Sequence, residues 1–178
     1  MTDNSPELRL VPIKTAAIER REELLAGVLA LELAPGQEDF VGFPENLLER
    51  ALPDPLRHPF AIEVATDGGA AVVGMGVLHV QAATETGWRD DESAVLLRGF
   101  LVDHRYQGMG FGGRATVAAV ALARQLADSL KLDAEGVVLG VNERNGVGRR
   151  AYERAGFAKS GTFLGGRSGP QDIMYRAF

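Results

Sequence analysis

The stretch that most constrains this chain runs from residue 94 to residue 130. An apolar segment, AVLLRGFLV (94–102), leads through RYQGMGFGGRA (105–115) into TVAAVALARQLADSL. The first reads as a strand and the last as a long helix, so the glycines stand at a strand-to-helix turn. A helix N-terminus carries unpaired backbone N–H groups and the positive end of the macrodipole. Where the preceding loop lacks side chains, an anion can rest directly on those groups. Gly108, Gly110, Gly112 and Gly113 remove the side chains here, and Arg105 and Arg114 bring positive charge to the flanks. The pattern points to a phosphate or pyrophosphate site. A flexible loop, or glycines that only let helix and sheet pack closely, are the structural alternatives.

The run GMGFGG also satisfies G-x-G-x-x-G. A dinucleotide fingerprint, however, follows the first strand directly and has an acid at the end of the next strand about 20 residues on. Here DHRYQ separates strand from glycine, three strands already precede the one that leads into the loop, and the nearest acid after the next strand, Glu143, lies too far along. A nucleotide-triphosphate loop is excluded as well, because no Gly-Lys-Ser/Thr occurs.

The rest of the chain sets this unit in a mixed α/β frame. LRLVPI (8–13) alternates like a strand, and TAAIERREELLAGVLALEL (15–33) reads as a helix with Thr15 as its cap and Pro35-Gly36 as its stop. A short helix opens at Pro44 (44–52). Strands at 60–65 and 70–80 flank the turn signal TDGG, and ETGWRDDES reads as a loop. Gly99 inside the central strand signals a bulge or the close approach of another backbone. Beyond the long helix come a buried-type strand (136–141), a helix (145–155) stopped by Gly156, and two strands in FAKSGTFL and DIMYRA. The order β-α-α-β-β-β-α-β-α-β-β predicts a central mixed sheet of six to seven strands flanked by about four helices, with one parallel crossover.

The 178 residues, 46% hydrophobic and 24% charged, fit a single domain over 1–178. The net charge of −5 argues against nucleic acid as a partner and suits a cationic substrate. The absence of cysteine removes disulfides, thiolate metal sites and a cysteine nucleophile. His58, His79 and His104 show no metal-ligand spacing, so no metal is expected. MTDNSPELRL lacks a basic segment followed by an apolar run, and the longest apolar stretch, around 116–123, is too short for a bilayer. A cytoplasmic protein without a membrane partner is the expectation.

FLVDHRYQGMGFGGRA resembles motif A of the Gcn5-related N-acetyltransferases (the GNAT superfamily), with Arg105, Gly108 and Gly110 at the motif positions Arg/Gln-x-x-Gly-x-Gly/Ala. VNERNGVGRRAYERAGF resembles motif B of the same family, with Asn145, Tyr152, Gly156 and Phe157 in register. Two motifs in order, separated by one helix and one strand, are far more specific than either alone. PGQEDFV and GPQDIM are in addition similar to bacterial spermine/spermidine-acetyltransferase-like members, although Pro44 stands where those often have Asn.

The resemblance implies a GNAT fold and an acetyl-CoA-dependent N-acetyltransferase acting on a primary amine of a small molecule, polyamine or amino-acid-like. The acetyl group would pass directly within a ternary complex. The pyrophosphate of acetyl-CoA would rest on the backbone N–H groups of Gln107, Gly108, Met109, Gly110, Phe111, Gly112 and Gly113. The pantetheine arm would lie between the splayed strands 94–102 and 136–141 and pair with the first. A backbone N–H near Leu101 or Val102 would face the thioester carbonyl and stabilise its developing oxyanion. Tyr152 would protonate the leaving thiolate, and Asn145 would meet the pantetheine arm, cap its helix, or both.

No base is evident. Where polyamine acetyltransferases of this fold can have an acid on the fourth strand, this chain has Arg98. Glu32, Glu63, His79, Asp103 and a water chain remain as candidates. WRDDES reads as an acidic mouth or a solvated loop, and His104 as a neighbour of the phosphate loop. The Gly-rich connection 161–171 is long enough to reach a neighbour's site in a homodimer or to form a mobile hairpin. Two readings from other classes stand beside the enzyme: a catalytically silent acyl-CoA-binding sensor of the same fold, and a nucleotide-binding oxidoreductase using the G-x-G-x-x-G run.

Overall fold

The computed structural model describes residues 5–178. Strands β1 (Leu8–Pro12), β2 (Arg57–Thr66), β3 (Gly69–His79), β4 (Val95–Val102), β5 (Gly136–Asn142), β6 (Ala158–Phe163) and β7 (Gln171–Ala177) form one sheet in the order β1-β2-β3-β4-β5-β7-β6. Every neighbouring pair is antiparallel except β4 and β5. The single parallel pair is joined through helix α3 (Phe111–Leu130), because parallel strands need a long crossover.

Helices α1 (Ile18–Leu29) and α2 (Pro44–Ala51) cover one face of the sheet, where Leu24, Val28 and Leu48 pack on Ala61, Met75, Val77 and Leu101. The other face carries α3 and α4 (Gly146–Arg154). Along α3, Ala115, Ala119, Ala123 and Ala127 recur every fourth position and are buried, so the helix lays a narrow, small-residue stripe on the sheet. That face is one continuous core from Phe60 and Val73 through Leu97 and Val102 to Leu139 and Phe157.

The expected strands and helices all form, and the main difference lies at both ends of the first helix. It begins at Ile18 behind Ala17, without a side-chain cap, rather than at Thr15. It ends at Leu29 rather than at Leu33, before Pro35-Gly36. The cause is tertiary. Glu32 donates its N–H to Asp103 Oδ2 (2.9 Å) and accepts the N–H of His104 (3.0 Å), which draws 31–33 out of the helix. Two of the predicted loops also contain 3₁₀ turns, at Ala83–Thr86 and His104–Tyr106. Among the described residues no helix is long and apolar enough to cross a membrane.

Candidate active site

The site begins where β4 and β5 part. They pair only at Val95↔Val137 and Leu96↔Val138, then diverge. The cause lies on β4: between Arg98, opposite Val77, and Leu101, opposite Met75, the strand holds one residue more than β3. This bulge bends β4 away from β5. Gly99 supplies it with φ +56°, and Leu47 of α2 stands so close that a Cβ there would lie 3.0 Å from its Cδ2. Beyond the bulge, Asp103 N–H donates to Val73 O at 2.8 Å, toward β3. Pleat alternation therefore aims the N–H of Val102 into the opened wedge and that of Leu101 toward β3.

The end of β4 leads into the glycine loop. Gly108 and Gly110 both have φ +80°, a conformation that explains glycine by itself. Gly112 and Gly113 lie within α3, where glycine weakens a helix by about 1 kcal/mol relative to Ala. A Cβ at Gly113 would meet nothing within 4 Å, and one at Gly112 only a Val102 methyl at 3.9 Å. No internal contact thus requires glycine at either place. The N-terminus of α3 has no side-chain cap either. Buried Phe111 anchors the first turn against Tyr106, while Met109 is exposed. Gln107 fastens the loop to the strand through Nε2, which donates to Val102 O at 3.0 Å and Gln37 Oε1 at 3.2 Å.

The flanking arginines are engaged elsewhere. Arg114 donates to Pro6 O at 2.7 Å. Arg105 forks onto the buried Asp103, with Nε to Oδ1 at 2.9 Å and Nη2 to Oδ2 at 2.6 Å, and also faces Glu32 at 3.2 Å. An anion at the loop therefore meets mainly backbone N–H groups. Burial alone would raise the Asp103 carboxyl, but the Arg105 fork, the N–H groups of Glu32 and Arg105 and the guanidinium charge hold it at about 2. A carboxyl depressed on folding stabilises the fold above its ordinary value and loses that contribution as pH falls through the folded value. Asp103→Asn is therefore expected to be less stable than wild type at neutral pH, with the gap closing between pH 3.8 and about 2. Acid unfolding followed by circular dichroism checks this; a gap independent of pH would show that the charge is not its source.

On the far side of the wedge, Asn145 caps α4 by accepting the N–H of Gly148 at 3.0 Å. Tyr152, two turns on, packs against Phe100 of β4 and edge-on against Phe157, with ring centroids 6.3 and 6.0 Å away. Its hydroxyl makes no hydrogen bond to another described residue, and burial pushes its pKa up to about 12. Tyr152 thus stands as a protonated phenol beside the splayed part of β4.

The acids named as base candidates are otherwise occupied. Glu63 is buried between Arg9 and Arg20 beneath α1. Asp103 holds Arg105, and exposed Glu32 pairs with Arg105 and His104. His79 is buried, and burial and the charges of Arg57 and Arg98 lower its pKa. Its Nδ1 lies 3.2 Å from Arg98 Nη1, which also pairs with Glu85. In the acidic loop, Asp90 accepts the N–H groups of Glu92 and Ser93, and Asp91 that of Thr84, so these carboxylates shape the loop itself. Two participants escape sequence reading. Glu85 has no periodic context to mark it, and Asp172, buried on β7 with Arg149 and Lys159, sits inside an apolar strand pattern. The 161–171 connection is tied to its own chain: Ser168 O accepts Asn142 Nδ2 and Arg144 Nη2, and Ser168 Oγ donates to Asp39 O. Among the described residues no group of three or more His, Cys, Asp and Glu could hold a metal ion.

Comparison with known proteins gives this geometry a context. The family model described as Acetyltransferase (GNAT) family matches residues 27–157. No curated protein sequence matches significantly. Among solved structures the chain is similar to the aminoglycoside acetyltransferase AAC(6')-Ib in complex with coenzyme A, at 18% identity and TM-score 0.65 over 96% of this chain and 95% of that one. It is also similar to a spermidine N-acetyltransferase from Vibrio cholerae in complex with CoA and spermine, at 17% identity and TM-score 0.62 over the same shares. A third is described as a putative phosphinothricin N-acetyltransferase, at 17% identity and TM-score 0.61 over 96% and 98%. At these identities the likeness is one of fold.

Proposed function

The chain belongs to the acetyltransferase (GNAT) family, and from that premise we propose that it transfers the acetyl group of acetyl-CoA directly to a primary amine of a small molecule. The observation that carries this reading is the bare N-terminus of α3 at the mouth of the β4–β5 wedge. Gly112 and Gly113 have no internal reason to be glycine, and a pyrophosphate lying on the helix end supplies one. The unpaired edge of β4 suits a polyamide arm, which pairs as an added strand.

When bound, acetyl-CoA supplies an activated thioester. The N–H groups from Gln107 to Gly113 hold its pyrophosphate. Val102 N–H faces the wedge, placed to stabilise negative charge on the carbonyl oxygen as the C–N bond forms and the C–S bond breaks. Tyr152, kept protonated by burial, gives its proton to the departing sulfur. The attacking amine loses its proton to water: Glu63 and Asp103 are committed to buried ion pairs, Glu32 to Arg105 and His104, and His79 is buried against Arg98. With no cysteine in the chain, direct transfer needs no acetyl-cysteine.

Calorimetric titration tests the reading. Acetyl-CoA is expected to bind with a micromolar Kd and NADH not at all. The reverse result would restore the oxidoreductase. Acetyl-CoA binding without transfer to any amine would favour the silent sensor.

A further inference from the structure

The two faces of the sheet differ at the wedge. The α3–α4 face is one unbroken core. On the opposite face the apolar surface is split into two clusters, one under α1 and α2 and one around Leu96, Val138 and Ile173. Between them lies a polar group centred on Arg98. Arg98 on β4 and Gly140 on β5 are each the second residue beyond the last β4–β5 pair, so both stand where the strands begin to part. The space above Gly140 is taken by polar atoms: a Cβ there would lie 2.5 Å from Gln171 Oε1 and 2.6 Å from Thr86 Oγ1.

Arg98 is a guanidinium already set in position. Its Nη1 is held by Glu85 and by His79 Nδ1. Its Nε and Nη2 make no hydrogen bond to any described residue, and its side chain is 34% exposed. The Nε–Nη2 edge is a two-donor fork that matches a carboxylate. Val102 follows four positions later, at most about 13 Å along the strand. A carboxylate held at Arg98 therefore leaves an amine a few bonds away free to reach the wedge. A polyamine would instead meet a positive charge on the floor, and Glu85 already shares its carboxylate with that charge.

We infer that Arg98 is the specificity-determining residue of this site and that the acceptor is an amine that also carries a carboxylate. The inference rests on the acetyltransferase reading and narrows its acceptor. The test measures kcat/KM with acetyl-CoA for β-alanine, 4-aminobutyrate and lysine, for the primary amide of each, and for putrescine and spermidine. Wild type is expected to favour the free acids over their amides by about a hundredfold. Arg98→Gln is expected to bring that ratio to near one, mainly through KM, while acetyl-CoA still binds in the titration. Glu85→Gln keeps the guanidinium and releases its partner, so the preference for acids is expected to persist or grow. Amides or polyamines used as well as the acids by wild type would overturn the inference. So would an equal loss on acids and amides in Arg98→Gln, or transfer to putrescine or spermidine with none to any amino acid. Binding of acetyl-CoA with transfer to no amine at all, or failure to bind it, would instead strike the acetyltransferase reading itself.

Discussion

Replacing Tyr152 by Phe is expected to lower kcat for acetyl transfer by about a hundredfold or more, the usual reach of a positioned general acid. Affinity for acetyl-CoA and thermal stability should hardly change. The ring carries the packing against Phe100 and Phe157, and Phe retains it. The hydroxyl has no hydrogen bond to a described residue to lose, so its removal strands no partner. Burial sets a further condition. With its pKa raised from 10.0 to about 12, the phenol stays protonated through the working range. The kcat profile of wild type should therefore show no falling limb from this group up to about pH 10, where an ordinary phenol would be half ionised. Steady-state kinetics against pH on both proteins gives both readouts. A Tyr152→Phe enzyme with wild-type kcat would remove the general-acid role; a rise in KM alone would leave the ring a positioning part.

The order of elements is legible in the sequence because its signals are local. Periodicity marks α3, turn residues mark the hairpin at Asp67-Gly68-Gly69, and Gly156 closes α4 with φ +88°. The bulge is legible too. A lone glycine weakens an apolar strand unless the backbone bends there or another backbone approaches it, and Gly99 answers to the first: it sits in the bulge with positive φ, and its near neighbour is the side chain of Leu47, not a backbone. What stays hidden depends on partners distant in sequence. Nothing near residue 32 announces that its backbone will join Asp103 and His104, so periodicity alone carries helix α1 four residues too far. A motif places Arg105 beside a phosphate loop, but only the fold shows its guanidinium turned onto Asp103. Arg98 and Glu85 are 13 positions apart, one in a strand and one in a turn, and become a pair only when β3, β4 and the loop between them are assembled. Charged side chains near a wedge thus divide into those that build it and those that face its ligand, and sequence spacing does not separate the two.

Gly113→Asp separates stability from function with opposite signs. Gly113 is the third residue of α3, has ordinary helical backbone and faces open space. A side chain there removes the helix cost of glycine, about 1 kcal/mol. A carboxylate in the first turn adds a favourable interaction with the macrodipole, about 0.3–1 kcal/mol. The variant is therefore expected to melt at a higher temperature than wild type. Acetyl-CoA binding should fail. Two like charges about 4 Å apart repel by about 4 kcal/mol at an effective dielectric constant near 20. Even half of that, with the lost space for the pyrophosphate added, weakens binding by at least about a hundredfold, since about 1.4 kcal/mol is a factor of ten. Gly113→Ala isolates the steric part: it should share the stabilisation and lose less affinity. Differential scanning calorimetry and acetyl-CoA titration on the three proteins give the comparison. A protein that is both more stable and unable to bind shows that the glycine is kept for the ligand at the expense of the helix. A Gly113→Asp protein that binds acetyl-CoA like wild type would place the pyrophosphate away from the α3 N-terminus, and the loop would revert to a packing feature.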